Sequence, residues 1–575
     1  MLAVNAATEE LYVAATGGRQ ILVIDRTTCL VHRRIDLPEV PSGVAISANG
    51  VSLYVTAGVP DGMVLVIDSQ TGAARARIPA GHSPTAPVLS TDGGTLLVCD
   101  RFRSRLLAID LAAQTIRGEL PVGREPVAAA LTPDGRRVLV ANLLPAGPAT
   151  SPRVAAEVVA VNAADLTLVG RIGLPNGSTS VRGICVSPDG AHAYVVHTLA
   201  HYQLPTTQVD RGWMNASALS IIDIPSWRRI ATVLLDDVDR GAANPWDVVC
   251  TGDGRWLCVS HSGTHEVSII DRLALHRKLD RVAAGPEDVA SDLSFLVDLR
   301  RRVHLPGKGP RDLAVVGQTL YVAEYFSDSV ATVDLGADFA DTPVSIPLGP
   351  TAGTTDVQRG EMLFHDADLC FQGWQSCASC HPDARTDGLN WDLLNDGPGT
   401  PRNTKSMLRS HRTPPAMSVG VRETAEAAVR AGLHHIQFVA SGEANASAID
   451  AYLKSIEPLP SPYAADQDLI AKAQRGKGVF EKAGCQECHP APLYTSLAPY
   501  DVGTSNYSPP PGRTGEAFDT PTLVELWRTA PYLHDGRAAT LEEVLTKFNP
   551  EDRHGKTSNL SETEIDDLTA FLLSL

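Results

Sequence analysis

Several features that define common protein classes are missing from this sequence of 575 residues. It has no run of eighteen apolar residues, so nothing in it predicts a membrane-spanning helix. It also lacks a phosphate-binding loop, a nucleotide fingerprint and a Ser/His/Asp order. Its net charge of -17 argues against a nucleic-acid partner and suits a basic or dipolar partner.

What the sequence does contain, twice, is the pentapeptide Cys-x-x-Cys-His. Two thiols at this spacing can add to the two vinyl groups of one porphyrin, and the adjacent imidazole then binds the iron from the proximal side. A zinc site would need further Cys or His at finger-like spacing, and a thioredoxin-like pair has no use for the following His. The motifs predict two covalently bound haem c groups, and the residues that hold them are Cys377, Cys380, His381, Cys485, Cys488 and His489.

Haem c is attached outside the cytoplasm in bacteria, which bears on localisation. The first residues show no basic stretch followed by an apolar core, and Met1 already lies inside the first predicted strand. We therefore expect a periplasmic or surface-exposed protein whose export signal is missing from this chain.

The first 350 residues repeat a unit of about 42 residues that reads as four short antiparallel strands. A Leu-Tyr-Val element marks each unit, and its seven copies begin at Leu11, Leu53, Leu96, Val138, Ala193, Leu257 and Leu320. Four strands per unit is typical of a propeller blade. The copies resemble the YVTN family of propeller repeats, and we predict an all-β seven-bladed propeller over residues 1–350.

Longer spacings interrupt the repeat after the fourth, fifth and sixth copies, and functional sites are often built on such insertions. The third is charged and is predicted to be partly helical. The second is rich in His and aromatic residues, and we expect it to pack against the haem region. Its polar and aromatic members are His197, His201, Tyr202, Gln208, Arg211, Trp213 and Asn215.

The remaining residues carry a duplication at an offset of 116. Arg359-Gly360-x-x-x-Phe364 matches Arg475-Gly476-x-x-x-Phe480, and three further phrases match at the same offset. Each copy closes with an amphipathic pattern, over 448–456 and 561–575. We predict two tandem all-α cytochrome c domains, 351–460 and 461–575, divided by a Pro-rich stretch.

Two phrases in this part resemble bacterial di-haem cytochrome c peroxidases and related di-haem enzymes. They are Ser376 to Pro382 with Asp387-Gly388 downstream, and Phe518 to Leu523 followed by Ala530 to Arg537. The resemblance implies one haem that meets peroxide and one that relays electrons from a small donor. It also implies a catalytic glutamate, for which Glu426 is the candidate. The family's Trp-Asp pair is absent, and its glutamine position holds Ala416.

The distal iron ligands are argued by elimination. No Met follows Cys485, so the second haem cannot have His/Met ligation within its own domain, and His554 becomes the best distal candidate. For the first haem we prefer His434 or His435, the residues near Phe438, which is the counterpart of His554. Four alternatives stay open: the propeller residue His201, and Met407, His411 and Met417 of the first haem domain.

These features predict an exported di-haem oxidoreductase, peroxidase-like, that passes electrons from a small redox protein (a cytochrome c or a cupredoxin) through one haem to an oxidant such as hydrogen peroxide at the other. The alternative is a non-catalytic electron-transfer protein with two six-coordinate haems and the propeller as docking platform. The resemblance further implies one Ca²⁺ between the haem domains, where Asn403 and Thr520 are the candidate residues.

Overall fold

A computed structural model describes the chain except for residues 6–7, 206–213, 283–288, 337–341, 351–352, 395–398, 465 and 506–515. Its first part is a seven-bladed β-propeller in which every blade is a four-stranded antiparallel sheet. Blades one to four comprise β1–β4 (Leu2–Val4, Glu10–Ala15, Gln20–Asp25, Leu30–Asp36), β5–β8 (Pro41–Ile46, Ser52–Ala57, Met63–Asp68, Ala74–Pro79), β9–β12 (Pro84–Leu89, Thr95–Asp100, Arg105–Asp110, Thr115–Pro121) and β13–β16 (Pro126–Leu131, Arg137–Asn142, Glu157–Asn162, Leu168–Gly173). Blades five to seven comprise β17–β20 (Ser178–Val186, His192–Ala200, Asn215–Asp223, Arg228–Leu234), β21–β24 (Pro245–Cys250, Trp256–His261, Glu266–Asp271, Arg300–His304) and β25–β28 (Pro310–Val316, Thr319–Glu324, Ser329–Asp334, Val344–Pro347).

The predicted blades are confirmed: each Leu-Tyr-Val element lies in the second strand of its sheet. The core runs between neighbouring blades, because the apolar residues of the second and third strands face the next sheet. Leu11 and Val13 of the first blade share one buried cluster with Tyr321 and Val330 of the last. The ring is therefore closed by packing between complete blades.

The insertions also follow the prediction. The third one contains the helix α1 (Arg272–Leu279), which begins at the N-cap Asp271. None of the helices in the described ranges is long and apolar enough to cross a membrane.

The C-terminal part is helical, as predicted. Its helices are α2 (Asp356–His365), α3 (Cys377–Cys380), α4 (Ala425–His435), α5 (Glu443–Ser455), α6 (Gln467–Lys482), α7 (Leu541–Leu545) and α8 (Glu562–Ser574). Two hairpins join them, formed by β29 (Asn390–Trp391) with β30 (Arg402–Asn403) and by β31 (Pro499–Tyr500) with β32 (Phe518–Asp519). α5 begins five residues before the predicted pattern, because its first turn is exposed and polar.

The two copies pack in the same way. A Cβ atom at Gly360 would lie 1.9 Å from the carbonyl oxygen of Ala448, and one at Gly476 would lie 1.9 Å from that of Asp567. The repeated Arg-Gly phrase is thus explained, since only glycine lets α2 cross α5, and α6 cross α8, at this distance.

A pseudo-two-fold relation links the two copies. The N–H of Asn403 donates to the carbonyl oxygen of His534 at 2.8 Å, and the N–H of Asp519 donates to that of Ser418 at 2.9 Å. The two donors are 116 positions apart, and so are the two acceptors. Each copy therefore donates to the other the same backbone hydrogen bond that it accepts from it.

Candidate haem sites

The first Cys-x-x-Cys-His motif forms the helix α3, which the propeller holds in place. Asn244 donates to the Ser376 hydroxyl at 2.7 Å and accepts from the Ser379 hydroxyl at 2.6 Å. Beyond the helix, Nδ1 of His381 donates to the carbonyl oxygen of Arg385 at 3.0 Å. Because that bond occupies one ring nitrogen, Nε2 is left to bind iron.

The second motif is a 3₁₀ turn, and Nδ1 of its His489 donates to the carbonyl oxygen of Tyr494 at 2.8 Å. Another imidazole faces this one: the ring centres of His489 and His554 lie 6.4 Å apart, with 39° between the ring planes. Two metal–imidazole bonds of about 2 Å each, together with the two ring radii, need about 6 Å. The gap therefore suits one iron atom bound by both rings.

One asparagine positions the loop that carries His554. The side-chain oxygen of Asn549 accepts from the N–H of His554 at 2.8 Å, while its amide donates to Gly555 and Thr557, each at 2.8 Å. Asn549 is buried. The sequence analysis missed this role, although the Asn549-Pro550 pair is a turn signal that could have drawn attention to it.

Among the residues that the structure describes, no imidazole lies opposite His381 in this way. Phe438, the counterpart of His554, is 43% exposed. His434 and His435 lie exposed at the end of α4 and contact each other, with ring centres 4.5 Å apart. Within the part of the chain that the structure describes, no ring faces His381 as His554 faces His489.

The other candidates for that position make contacts elsewhere. Met407 packs in the apolar core of the first copy, as Leu523 does in the second. Nε2 of His411 lies 3.0 Å from the buried carboxylate of Asp450. Met417 occupies a left-handed turn with a φ of 76°.

Glu426, the predicted catalytic residue, lies in the first turn of α4. Its carboxylate is 2.8 Å from Nζ of Lys454, and that hydrogen bond is the main cause that lowers the pKa of Glu426 to about 2. Glu426 is therefore ionised at neutral pH, and while it is paired with Lys454 its carboxylate is a weak base. Ala416 contributes backbone only, in a bridge with Arg422.

Buried charges join both haem domains to the propeller beside the first motif. Asp383 follows His381 by two residues and accepts from Arg101, from Arg182 at 3.0 Å and from Arg528 at 2.9 Å. Burial alone would raise the pKa of Asp383, but the three guanidinium groups outweigh it and hold that pKa well below its usual range. No sequence pattern signals this cluster, because its members come from distant elements.

Glu125 is the propeller's own carboxylate in the cluster. It accepts from Arg528 at 3.1 Å and from Arg101 at 2.9 Å. Burial would raise the pKa of Glu125, but Arg528 and Arg101 lower it to about 2. Arg528, a residue of the second haem domain, thus binds one carboxylate of the propeller and one of the first haem domain.

The His-rich insertion packs against the first motif, which confirms that expectation. Tyr202 and Met214 share an apolar cluster with Trp391, and Cys380 packs at its edge. The amide of Asn215 donates to Sγ of Cys380 at 3.4 Å. Three other members lie outside the described residues: Gln208, Arg211 and Trp213. His197 instead lies inside the propeller, bonded to a serine hydroxyl.

The residues expected to hold calcium do not form an open set of oxygen ligands. The amide of Asn403 donates to two neighbouring oxygen atoms, at 3.0 and 3.3 Å. Thr520 donates its hydroxyl to Ala498 at 2.6 Å and accepts on its carbonyl from Thr495 at 2.7 Å. Because Ca²⁺ takes about six to eight oxygen ligands, the site does not fit this ion.

Two complete attachment motifs, on paired helical domains that are docked on a propeller, define a di-haem c-type cytochrome. The model of the di-haem cytochrome c peroxidase family matches residues 354–465. Over 272 residues the chain is 32% identical to hydrazine synthase subunit gamma of Kuenenia stuttgartiensis, an alignment that covers 38% of this chain and 77% of that protein. The chain belongs to the di-haem cytochrome c peroxidase and MauG family.

Two further comparisons agree with this assignment. Over 294 residues the chain is 27% identical to the methylamine utilization protein MauG of Methylophilus methylotrophus, covering 41% of this chain and 86% of that protein. A solved structure of Kuenenia stuttgartiensis hydrazine synthase superposes with a TM-score of 0.54 and 22% identity, over 59% of this chain and 95% of that chain. The latter supports the fold.

Proposed function

We propose that this protein is an exported, peroxidase-like oxidoreductase in which the two haems have different roles. The observation that carries the proposal is the asymmetry of the two sites. His554 faces His489 across a space that suits one iron atom, whereas the equivalent position near His381 holds Phe438. A haem bound by two imidazoles transfers electrons, and a haem with one protein ligand keeps a face for an oxidant.

The proposed roles of individual residues follow from this difference between the two haems. His489 and His554 fix the relay haem, and Asn549 holds His554 in place. His381 binds the haem that meets the oxidant, and Glu426 accepts a proton near it. His434 and His435 stay proposed distal candidates for a six-coordinate resting state.

The proposed electron donor is a small redox protein, a cytochrome c or a cupredoxin. The net charge of -17 favours a donor with a basic or dipolar contact face. The proposed location is the periplasm or the cell surface, where haem c is attached and such donors occur.

The test is an absorption and EPR spectrum of the resting holoprotein, followed by addition of hydrogen peroxide. We expect one low-spin haem and one high-spin or easily vacated haem that reacts with peroxide. Two low-spin signals that peroxide leaves unchanged would reject the proposal and favour the non-catalytic relay, which the absent Trp-Asp and glutamine support. Hydrazine is the second probe, because one relative is named as a hydrazine synthase subunit.

A further inference from the structure

The strands β30 and β32 lie at the junction between the two haem domains. Each donates one of the reciprocal backbone hydrogen bonds described above, Asn403 to His534 and Asp519 to Ser418. Their side chains differ in charge. The first domain contributes Arg402 and Lys405, and the second contributes Glu516 and Asp519. Arg402 pairs with Glu516, and Nζ of Lys405 lies 2.9 Å from a carboxylate oxygen of Asp519.

Asp519 needs this partner. Its side chain is only 5% exposed, and its counterpart at the pseudo-two-fold position is the neutral Asn403. A buried carboxylate without a cation is strongly unfavourable. Lys405 is itself 35% exposed, so its ammonium group reaches the carboxylate from the solvent side.

Lys405 and Asp519 also connect the two backbone segments that contact the iron-binding histidines. The backbone carbonyl of Lys405 lies against the ring of His381, and the carbonyl of Pro521, two residues after Asp519, lies against the ring of His489. Lys405 and Pro521 are 116 positions apart, so both histidines receive the same support. The ion pair ties these two supports together at one point.

We propose that Lys405 supplies the positive charge at this junction in place of a divalent metal ion, and that its ion pair with Asp519 fixes the spacing of the two haem supports. The proposal rests on the presence of two haems and not on the peroxidase activity proposed above. It agrees with the poor fit of calcium to Asn403 and Thr520.

The first test is metal analysis of the holoprotein after dialysis against EGTA. We expect about two iron atoms per chain and less than about 0.1 calcium per chain. The absorption and EPR spectra should be the same with EGTA and with added CaCl₂. A calcium content near one per chain, with spectra that change on its removal, would overturn the proposal whatever the peroxide assay gives.

The second test compares variants of the ion pair. Lys405→Met should lower the melting temperature by several degrees and shift the EPR signal of at least one haem, because Asp519 is left buried and unpaired. Lys405→Arg should retain both properties. The double variant Lys405→Met with Asp519→Asn should recover most of the melting temperature, because both charges are removed.

Lys472→Met is the matched control, since Lys472 pairs with Asp566 at the surface of the second domain. If Lys405→Met behaves like this control in both melting temperature and EPR signal, Lys405 is only a surface lysine. If the double variant fails to recover stability, the charge is not what holds the junction.

Discussion

At the scale of single residues, one difference between equivalent positions separates the surroundings of the two proximal histidines. His554 stands where the first copy has Phe438, and Asn549 fixes it opposite His489 through hydrogen bonds to both sides of its backbone. An imidazole ligand that is held by a rigid loop loses little entropy when it binds. The two sites therefore share one frame, and the proposed difference in their chemistry rests on this pair of positions.

His554→Ala should convert the second haem from low-spin to high-spin, because one of its two opposed imidazoles is removed. We expect the loss of most of the low-spin EPR intensity, since the second haem is the low-spin haem of the proposed pair. Added imidazole should restore it. His304→Ala is the control, because His304 is exposed on the propeller strand β24 and should leave the spectrum unchanged. An unchanged spectrum in His554→Ala would remove His554 from the ligand set.

Glu426→Gln should lower kcat for peroxide by about tenfold or more, because general acid/base groups contribute about 10²–10⁴. Its pKa of about 2 depends first on the hydrogen bond from Lys454, so the acidic limb of the wild-type profile should lie below about pH 4. In Lys454→Met the pKa of Glu426 should rise and that limb should move to higher pH. Equal turnover and equal profiles in all three proteins would exclude Glu426 from catalysis.

At the scale of elements, sequence periodicity was sufficient for most of the fold. Each blade is a local unit whose strands neighbour one another in the chain, so alternation and turn residues specify it. The offset of 116 matched Asn403 with Asp519, but it did not predict that the backbones of these residues bond across the two domains. The first turn of α5 was not predicted, because it is polar and has no apolar pattern.

The contacts between units could not be read from the sequence. Asp383, Glu125 and Arg528 are separated by hundreds of residues, and nothing in the local pattern of any of them signals a buried charge. The same holds for the calcium expectation, which came from resemblance alone. Only the structure shows how Asn403 and Thr520 use their polar groups.

Arg528→Met should destabilise the protein by about 3–5 kcal/mol, because the buried Glu125 and the partly buried Asp383 would be left with fewer cations. The measurement is chemical or thermal unfolding of the holoprotein. Arg136→Met is the control, since Arg136 and its partner Asp134 are both exposed and the change should affect stability little. A loss as small as that of the control would mean that the buried network contributes little.

The same cluster sets a pH dependence. The folded pKa of Glu125, about 2, lies below its ordinary value of 4.5, so its stabilisation is complete above about pH 4.5 and is lost as the pH falls toward 2. Glu125→Gln should therefore flatten the fall of stability in this acidic range. An identical acid profile in this variant would contradict the assignment.

At the scale of the whole molecule, the propeller contacts the first haem motif itself but reaches the second domain away from its motif. The propeller residues Asn244, Asn215 and Arg182 contact the segment 376–383. Elsewhere the propeller contacts Pro460 in the linker and Arg528 in the second domain. Among the described residues, the propeller thus contacts the haem motif of the first copy, whereas its contacts with the second copy lie away from the motif. We infer that the propeller adjusts the properties of one haem only.

Asn215→Leu tests this inference, because Asn215 is the propeller residue that donates to the sulfur of Cys380. Loss of a hydrogen bond to a sulfur of the haem attachment should lower the potential of the first haem by up to about 60 mV, the equivalent of about 1.4 kcal/mol for one electron. The measurement is a spectroelectrochemical titration that resolves both haems, and the second haem serves as the internal control. A shift shared by both haems would indicate a general disturbance of the domain pair, and no shift would show that the propeller is a support without influence on the redox chemistry.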